Sequence, residues 1–168
     1  MPKIFRLTKG GKINEGIFVG ETINTPSMLC VEDYLDTLQW AKSIGGLKAT
    51  VARSDANAKA LADWVTVTPW IANLAKNANE RSNTSVCLVV ADAAVTRLSG
   101  DDQAAFAKNL AGLLEKEGVA YDIAYYRDAP PGLRIWCGAT VETRDVEALT
   151  PWLDWAFAEA KAALPKAA

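Results

Sequence analysis

The sequence predicts an α/β domain with helices packed on one face of a mostly antiparallel sheet. Short β-branched apolar runs read as strands, and amphipathic stripes between them read as helices. Their order from residue 85 onward is strand, helix, strand, strand, helix, which suits a two-layer sandwich. The chain has 168 residues, enough for one domain or for one domain and part of a second.

Residues 1–23 are punctuated by Gly10-Gly11, Gly16 and Gly20, and no complete helix or hairpin pattern is expected there. From Met28 the apolar residues Met28, Val31, Leu35 and Leu38 recur at helical spacing, and Gly45-Gly46 supplies a stop. A second helix is expected from about Leu47 to Val65, with Ala58, Leu61, Ala62 and Val65 on one face. An Asn-rich loop leads into Ser85–Val90, a buried strand by its β-branched run. Ser99-Gly100-Asp101-Asp102 reads as a capping box with Asp for Glu, opening a helix whose stripe is Phe106, Leu110, Leu113 and Leu114 and which Gly118 closes. Strands are expected at Ala120–Tyr125 and Leu133–Cys137, around the turn Asp128–Gly132. The last helix should run from Thr143 to about Ala163, with Pro151 either kinking it or starting a second helix capped by Thr150. Residues 1–45 fit poorly into the unit formed by residues 46–168, so a boundary is expected between them.

Composition narrows the function. Half of the residues are apolar and 23% are charged, which excludes a disordered chain. Eighteen basic against 20 acidic residues leave no electrostatic footprint for nucleic acid or an anionic membrane. No apolar run approaches the ~20 residues of a membrane span, and Met1–Arg6 lacks the apolar segment of a signal peptide, so a cytoplasmic protein is expected. Histidine is absent, which removes Ser-His-Asp and Cys-His catalysis and His-based metal sites. Cys30, Cys87 and Cys137 form no CxxC pair and read as buried thiols, with no metal site. Most of the six tryptophans fall on apolar faces and read as core.

Two places can carry chemistry. In Asn24-Thr25-Pro26, Thr25 reads as an N-cap with proline at the first helical position. Such a helix start is either an ordinary cap, the commoner case, or an anion site. In Leu133-Arg134-Ile135-Trp136, an arginine between apolar strand neighbours needs a carboxylate or phosphate for its planar fork, whether internal or on a ligand. Arg127 reads first as a salt-bridge residue.

Three separated blocks carry a resemblance: Gly16–Leu29 (GIFVGETINTPSML), Arg81–Leu88 (RSNTSVCL) and Arg127–Gly138 (RDAPPGLRIWCG). In order and spacing they resemble the C-terminal part of the phosphoserine aminotransferase family. The resemblance implies a fold-type I enzyme using pyridoxal 5'-phosphate to move an amino group between O-phosphoserine and glutamate, with 3-phosphohydroxypyruvate and 2-oxoglutarate as keto partners. It implies a homodimer in which Asn24 and Thr25 reach the cofactor phosphate of the other subunit, Arg134 binds the substrate α-carboxylate, and Arg127 lies near the substrate phosphate. A histidine often precedes the latter position in the family, and Tyr126 stands there in this chain. The Schiff-base lysine, the ring-stacking aromatic and the aspartate of the pyridinium nitrogen belong to the large domain and match nothing here, so no catalytic residue is expected in the chain. Residues 1–45 are then expected to be a remnant of the large cofactor-binding domain and residues 46–168 the small domain of a C-terminal fragment inactive alone. The implied role is serine biosynthesis, with vitamin B6 biosynthesis as a second one. The alternatives are a non-catalytic binding or oligomerisation module derived from that enzyme, and a fragment of another fold-type I aminotransferase.

Overall fold

The computed structural model describes residues 7–22 and 25–165. They divide into two compact units between Gly46 and Leu47.

In the first unit, β1 (Thr8–Lys9) and β2 (Lys12–Ile13) pair antiparallel. Residues 1–23 were expected to hold no hairpin, but Gly10 and Gly11 take φ of +60° and +78°. Two successive left-handed residues make the two-residue turn whose twist matches paired strands. A 3-10 turn, Glu15–Phe18, follows. Helix α1 spans Met28–Ser43, as its apolar spacing predicts, but its cap is Ser27 rather than Thr25. The Ser27 hydroxyl accepts from the Cys30 amide at 3.5 Å. Pro26 suits an extended approach as well as a first helical turn, so the helix starts two residues later than expected. The stripe Met28, Val31, Leu35 and Leu38 is exposed.

The second unit is built on a three-stranded antiparallel sheet of β3 (Ile71–Asn73), β4 (Ser85–Val90) and β5 (Leu133–Trp136), in the order β3-β4-β5. The three-residue β3 is too short to show a pattern in the sequence. The strand expected at Ala120–Tyr125 does not form. Asp122 has φ of +54°, a left-handed kink that breaks the pleat, and only Ala124 bridges to Leu133. Gly132 fits β5 against β4, since a Cβ there would lie 2.0 Å from the Leu88 carbonyl oxygen.

Strand alternation sends Val86, Leu88, Leu133 and Ile135 to one face, where all four are buried. Against that face pack α2 (Gly46–Val67), α4 (Gly100–Lys116) and α5 (Thr143–Ala162), through Leu61, Leu110, Leu114, Leu153 and Phe157. Each fully buried leucine contributes about 1.5–3 kcal/mol of apolar transfer. The predicted face of α2 is rotated: Ala62 is exposed, and Ser54 and Asn57 are buried beside Leu61. A short helix, α3 (Ala93–Thr96), precedes α4. Ser99 caps α4 as expected, accepting from the Asp102 amide at 3.2 Å.

Helix α5 continues through Pro151 as one helix, so the second helix capped by Thr150 does not form. Proline offers no N–H to the Glu147 carbonyl. The Thr150 hydroxyl donates to that carbonyl instead, at 3.0 Å. Trp70 stacks on Phe157 with centroids 4.3 Å apart, and Asp154 accepts from the indole N–H groups of Trp70 and Trp64. The cysteines depart from expectation: only Cys137 is buried, whereas Cys87 lies on the outward face of β4 and Cys30 is exposed on α1. Burial pushes the Cys137 thiol up to about 11.

Candidate functional site

The same alternation that buries Leu133 and Ile135 turns Arg134 and Trp136 to the outer face of the sheet. There Arg134 lies across from Cys87, and Trp136 across from Ser85. The Arg134 amide donates to the Ile123 carbonyl at 2.8 Å, which holds residues 122–124 along the free edge of β5. The side chain is mostly buried, 15% exposed, whereas that of Asp122 is 91% exposed.

Nη2 of Arg134 donates to the Asp122 carboxylate at 3.1 Å and to the Asp122 carbonyl at 3.3 Å. Tyr126 supplies a face: the guanidinium carbon lies 4.4 Å from its ring centroid, a cation–π contact. Nε is buried and meets no hydrogen-bond acceptor among the described residues. A charged donor left in this way is costly. Nε and Nη2 form one edge of the guanidinium, the edge that takes a carboxylate or phosphate through two parallel bonds. Arg134 is also one of the residues that line a cavity of about 340 Å³, with Tyr121, Asp122, Trp136 and Leu149 among the others. The arrangement can bind and orient a small anion beside an aromatic wall.

Behind β5, a polar cluster fixes the segment that follows the strand. Asn57 is fully buried, and its amide donates to the carbonyls of Cys137, Gly138 and Val141 at 3.3, 3.2 and 2.9 Å. Thr143 donates to its oxygen at 2.7 Å. Arg53 donates to the Ala139 carbonyl at 2.7 Å and pairs with Glu142, holding the Glu142 carboxyl below its ordinary value.

Of the residues singled out in the sequence, Arg134 is thus seated in a cavity. Arg127 is exposed on the turn after Tyr126, with no hydrogen bond or ion pair to other described residues. Thr25 is exposed ahead of α1, and Asn24 lies outside the described residues. Sequence reasoning missed Asp122, hidden inside an expected strand, and the stacking role of Tyr126. Among the described residues no group of three acidic or cysteine side chains could hold a metal ion, and no helix is long and apolar enough to cross a membrane.

No family model matches the chain. A phosphoserine aminotransferase of Methanosarcina mazei is 52% identical over 157 residues, and one of Methanosarcina barkeri is 53% identical over the same length. The chain is a relative of the phosphoserine aminotransferases. Each match covers 94% of the chain and 40% of the relative, so the chain spans about two fifths of the length of these curated proteins. A phosphoserine aminotransferase of Nocardioides sp. is 29% identical over 135 residues. The fold agrees with solved phosphoserine aminotransferases. One, from work on radiation damage to its Schiff base, superimposes with a TM-score of 0.69 at 17% identity, over 86% of this chain and 37% of its own. Another, from Bacillus circulans subsp. alkalophilus, gives 0.67 at 18% identity, over 81% and 34%. The fold is that of part of a fold-type I aminotransferase, helices on a small antiparallel sheet.

Proposed function

We propose that the chain acts as part of a phosphoserine aminotransferase, which moves an amino group between O-phosphoserine and glutamate with 3-phosphohydroxypyruvate and 2-oxoglutarate as keto partners. The identity of 52–53% to enzymes of that name supports the reading. The observation that carries it is Arg134, whose Nε is buried without an acceptor beside a cavity large enough for an amino acid.

In this reading Arg134 takes the substrate α-carboxylate on its Nε and Nη2 edge, and Tyr126 keeps the guanidinium plane fixed. Arg127, exposed on its turn, serves the substrate phosphate. Pyridoxal 5'-phosphate supplies the electron sink. Asn24 and Thr25 hold its phosphate across a homodimer. Thr25 fits that task, since its hydroxyl is exposed and makes no hydrogen bond with other described residues. The Schiff-base lysine comes from outside the matched two fifths. Residues 1–45 belong to the large domain and residues 46–168 to the small one. The enzyme works in the cytoplasm, in serine biosynthesis and in vitamin B6 biosynthesis.

Arg134→Lys in the assembled enzyme tests this. Lysine keeps the charge and loses the fork, so kcat/KM should fall by about 1.5–3 kcal/mol of transition-state binding, the worth of a charged hydrogen bond. Both half-reactions should suffer, because both amino acids carry the same α-carboxylate. A loss confined to O-phosphoserine would reassign Arg134 to the substrate phosphate.

A further inference from the structure

Asp122 engages Arg134 in an unequal pair. Its carboxylate reaches Nη2 alone, while Nε on the same edge is left without an acceptor. A carboxylate able to use the whole edge would accept from both nitrogens, so the internal contact is half of what the guanidinium can make. The two partners also differ in burial. Arg134 is clamped by its mostly buried side chain and by Tyr126, whereas the Asp122 side chain is almost wholly in solvent. The backbone holds Asp122 in place through its left-handed φ of +54° and its own carbonyl contact to Nη2.

We infer that Asp122 is a placeholder for the substrate carboxylate, an internal anion that occupies half of the Arg134 fork and swings into solvent when a ligand carboxylate takes Nε and Nη2 together. The inference rests on the reading of Arg134 as a carboxylate site. Asp122 is then a positioning residue that touches no reacting atom. It neutralises a mostly buried guanidinium when no ligand is present and lowers affinity for every carboxylate by competing with it. The Asp122 carbonyl stays on Nη2 throughout, so the guanidinium keeps its orientation during the exchange.

Asp122→Asn removes the charge while keeping a residue type that tolerates the left-handed backbone, and Asp122→Gly removes the side chain without strain there. The test titrates the chain with 2-oxoglutarate and follows the arginine Nε–H resonances by NMR, Arg134 being assigned as the signal lost in Arg134→Lys. The expected result is that 2-oxoglutarate shifts this signal, and that both Asp122 variants bind about two- to fivefold more tightly, the worth of a partly exposed ion pair. Affinity unchanged or weakened in both variants, with the Arg134 shift retained, overturns the placeholder and leaves the carboxylate site standing. An Arg134 signal that 2-oxoglutarate does not move in any of the proteins overturns both. A merely structural Asp122 would alter stability and leave the affinity unchanged.

Discussion

Replacing Asn57 by alanine should destabilise the second unit by about 3 kcal/mol, because the amide makes three separate interactions, each worth about 1 kcal/mol net. One amide hydrogen serves the Val141 carbonyl at 2.9 Å, and the other is shared between Gly138 at 3.2 Å and Cys137 at 3.3 Å. The third interaction is the 2.7 Å bond accepted from Thr143. Alanine leaves buried carbonyls without donors and fills less space, so the effect cannot be offset by new packing. Thr143→Val removes only the third interaction and should cost about 1–2 kcal/mol. The double variant should match Asn57→Ala to within about 0.5 kcal/mol, because once the amide is gone the threonine has lost its acceptor. Urea unfolding monitored by tryptophan fluorescence, with an unchanged slope, measures all three. A cost below about 1 kcal/mol for Asn57→Ala, or strict additivity with Thr143→Val, would refute the idea that this amide ties α2 to the segment following β5.

Asp92 caps α3 and accepts from Lys161 at 2.8 Å; that hydrogen bond is the largest of the effects holding its carboxyl below the ordinary value of 3.8. A lowered folded value means stability that is complete above the unfolded value and lost as pH falls through the folded one. Asp92→Asn, which keeps a capping oxygen, should therefore cost under about 1 kcal/mol at pH 6 and nothing near pH 2, and a gap in urea midpoints that persists at pH 2 would contradict this. Cys30 and Cys87 are exposed, whereas Cys137 is buried and its thiol is pushed up to about 11, so at pH 8 a disulfide reagent should titrate the first two quickly and the third only after unfolding. Three equal rates would show that the 137–143 segment opens readily.

Elements that repeat a pattern over many residues were readable from the sequence alone. Phe106, Leu110 and Leu114 mark α4 over its 17 residues, and Ser85–Val90 marks the central strand. Misreadings occurred where one backbone angle or one hydrogen bond decides. Ala120–Tyr125 has the composition of a strand, but a single left-handed residue, Asp122, prevents it from pairing along its length. Pro151 carries a helix-breaking signal, yet the helix continues past it, and the Thr150 hydroxyl donates to the carbonyl that proline leaves without its N–H. The buried face of α2 was misplaced because Asn57 is a polar residue whose burial depends on carbonyls about 80 positions away.

The candidate site follows the same division. Arg134 was visible because an arginine between Leu133 and Ile135 breaks the apolar pattern, and the period of two then fixes which face it occupies. Its partners come from the segment 122–126, whose side chains are arranged by the failed strand rather than by any periodicity. The kink at Asp122 both ends the pairing and turns its carboxylate and carbonyl toward Nη2, while the next residues return the chain to β5 and bring Tyr126 over the guanidinium. A regular strand at 120–125 would have sent alternate side chains to opposite faces. The irregularity that defeats the sequence pattern is what places an acid, an aromatic ring and a cavity around one arginine.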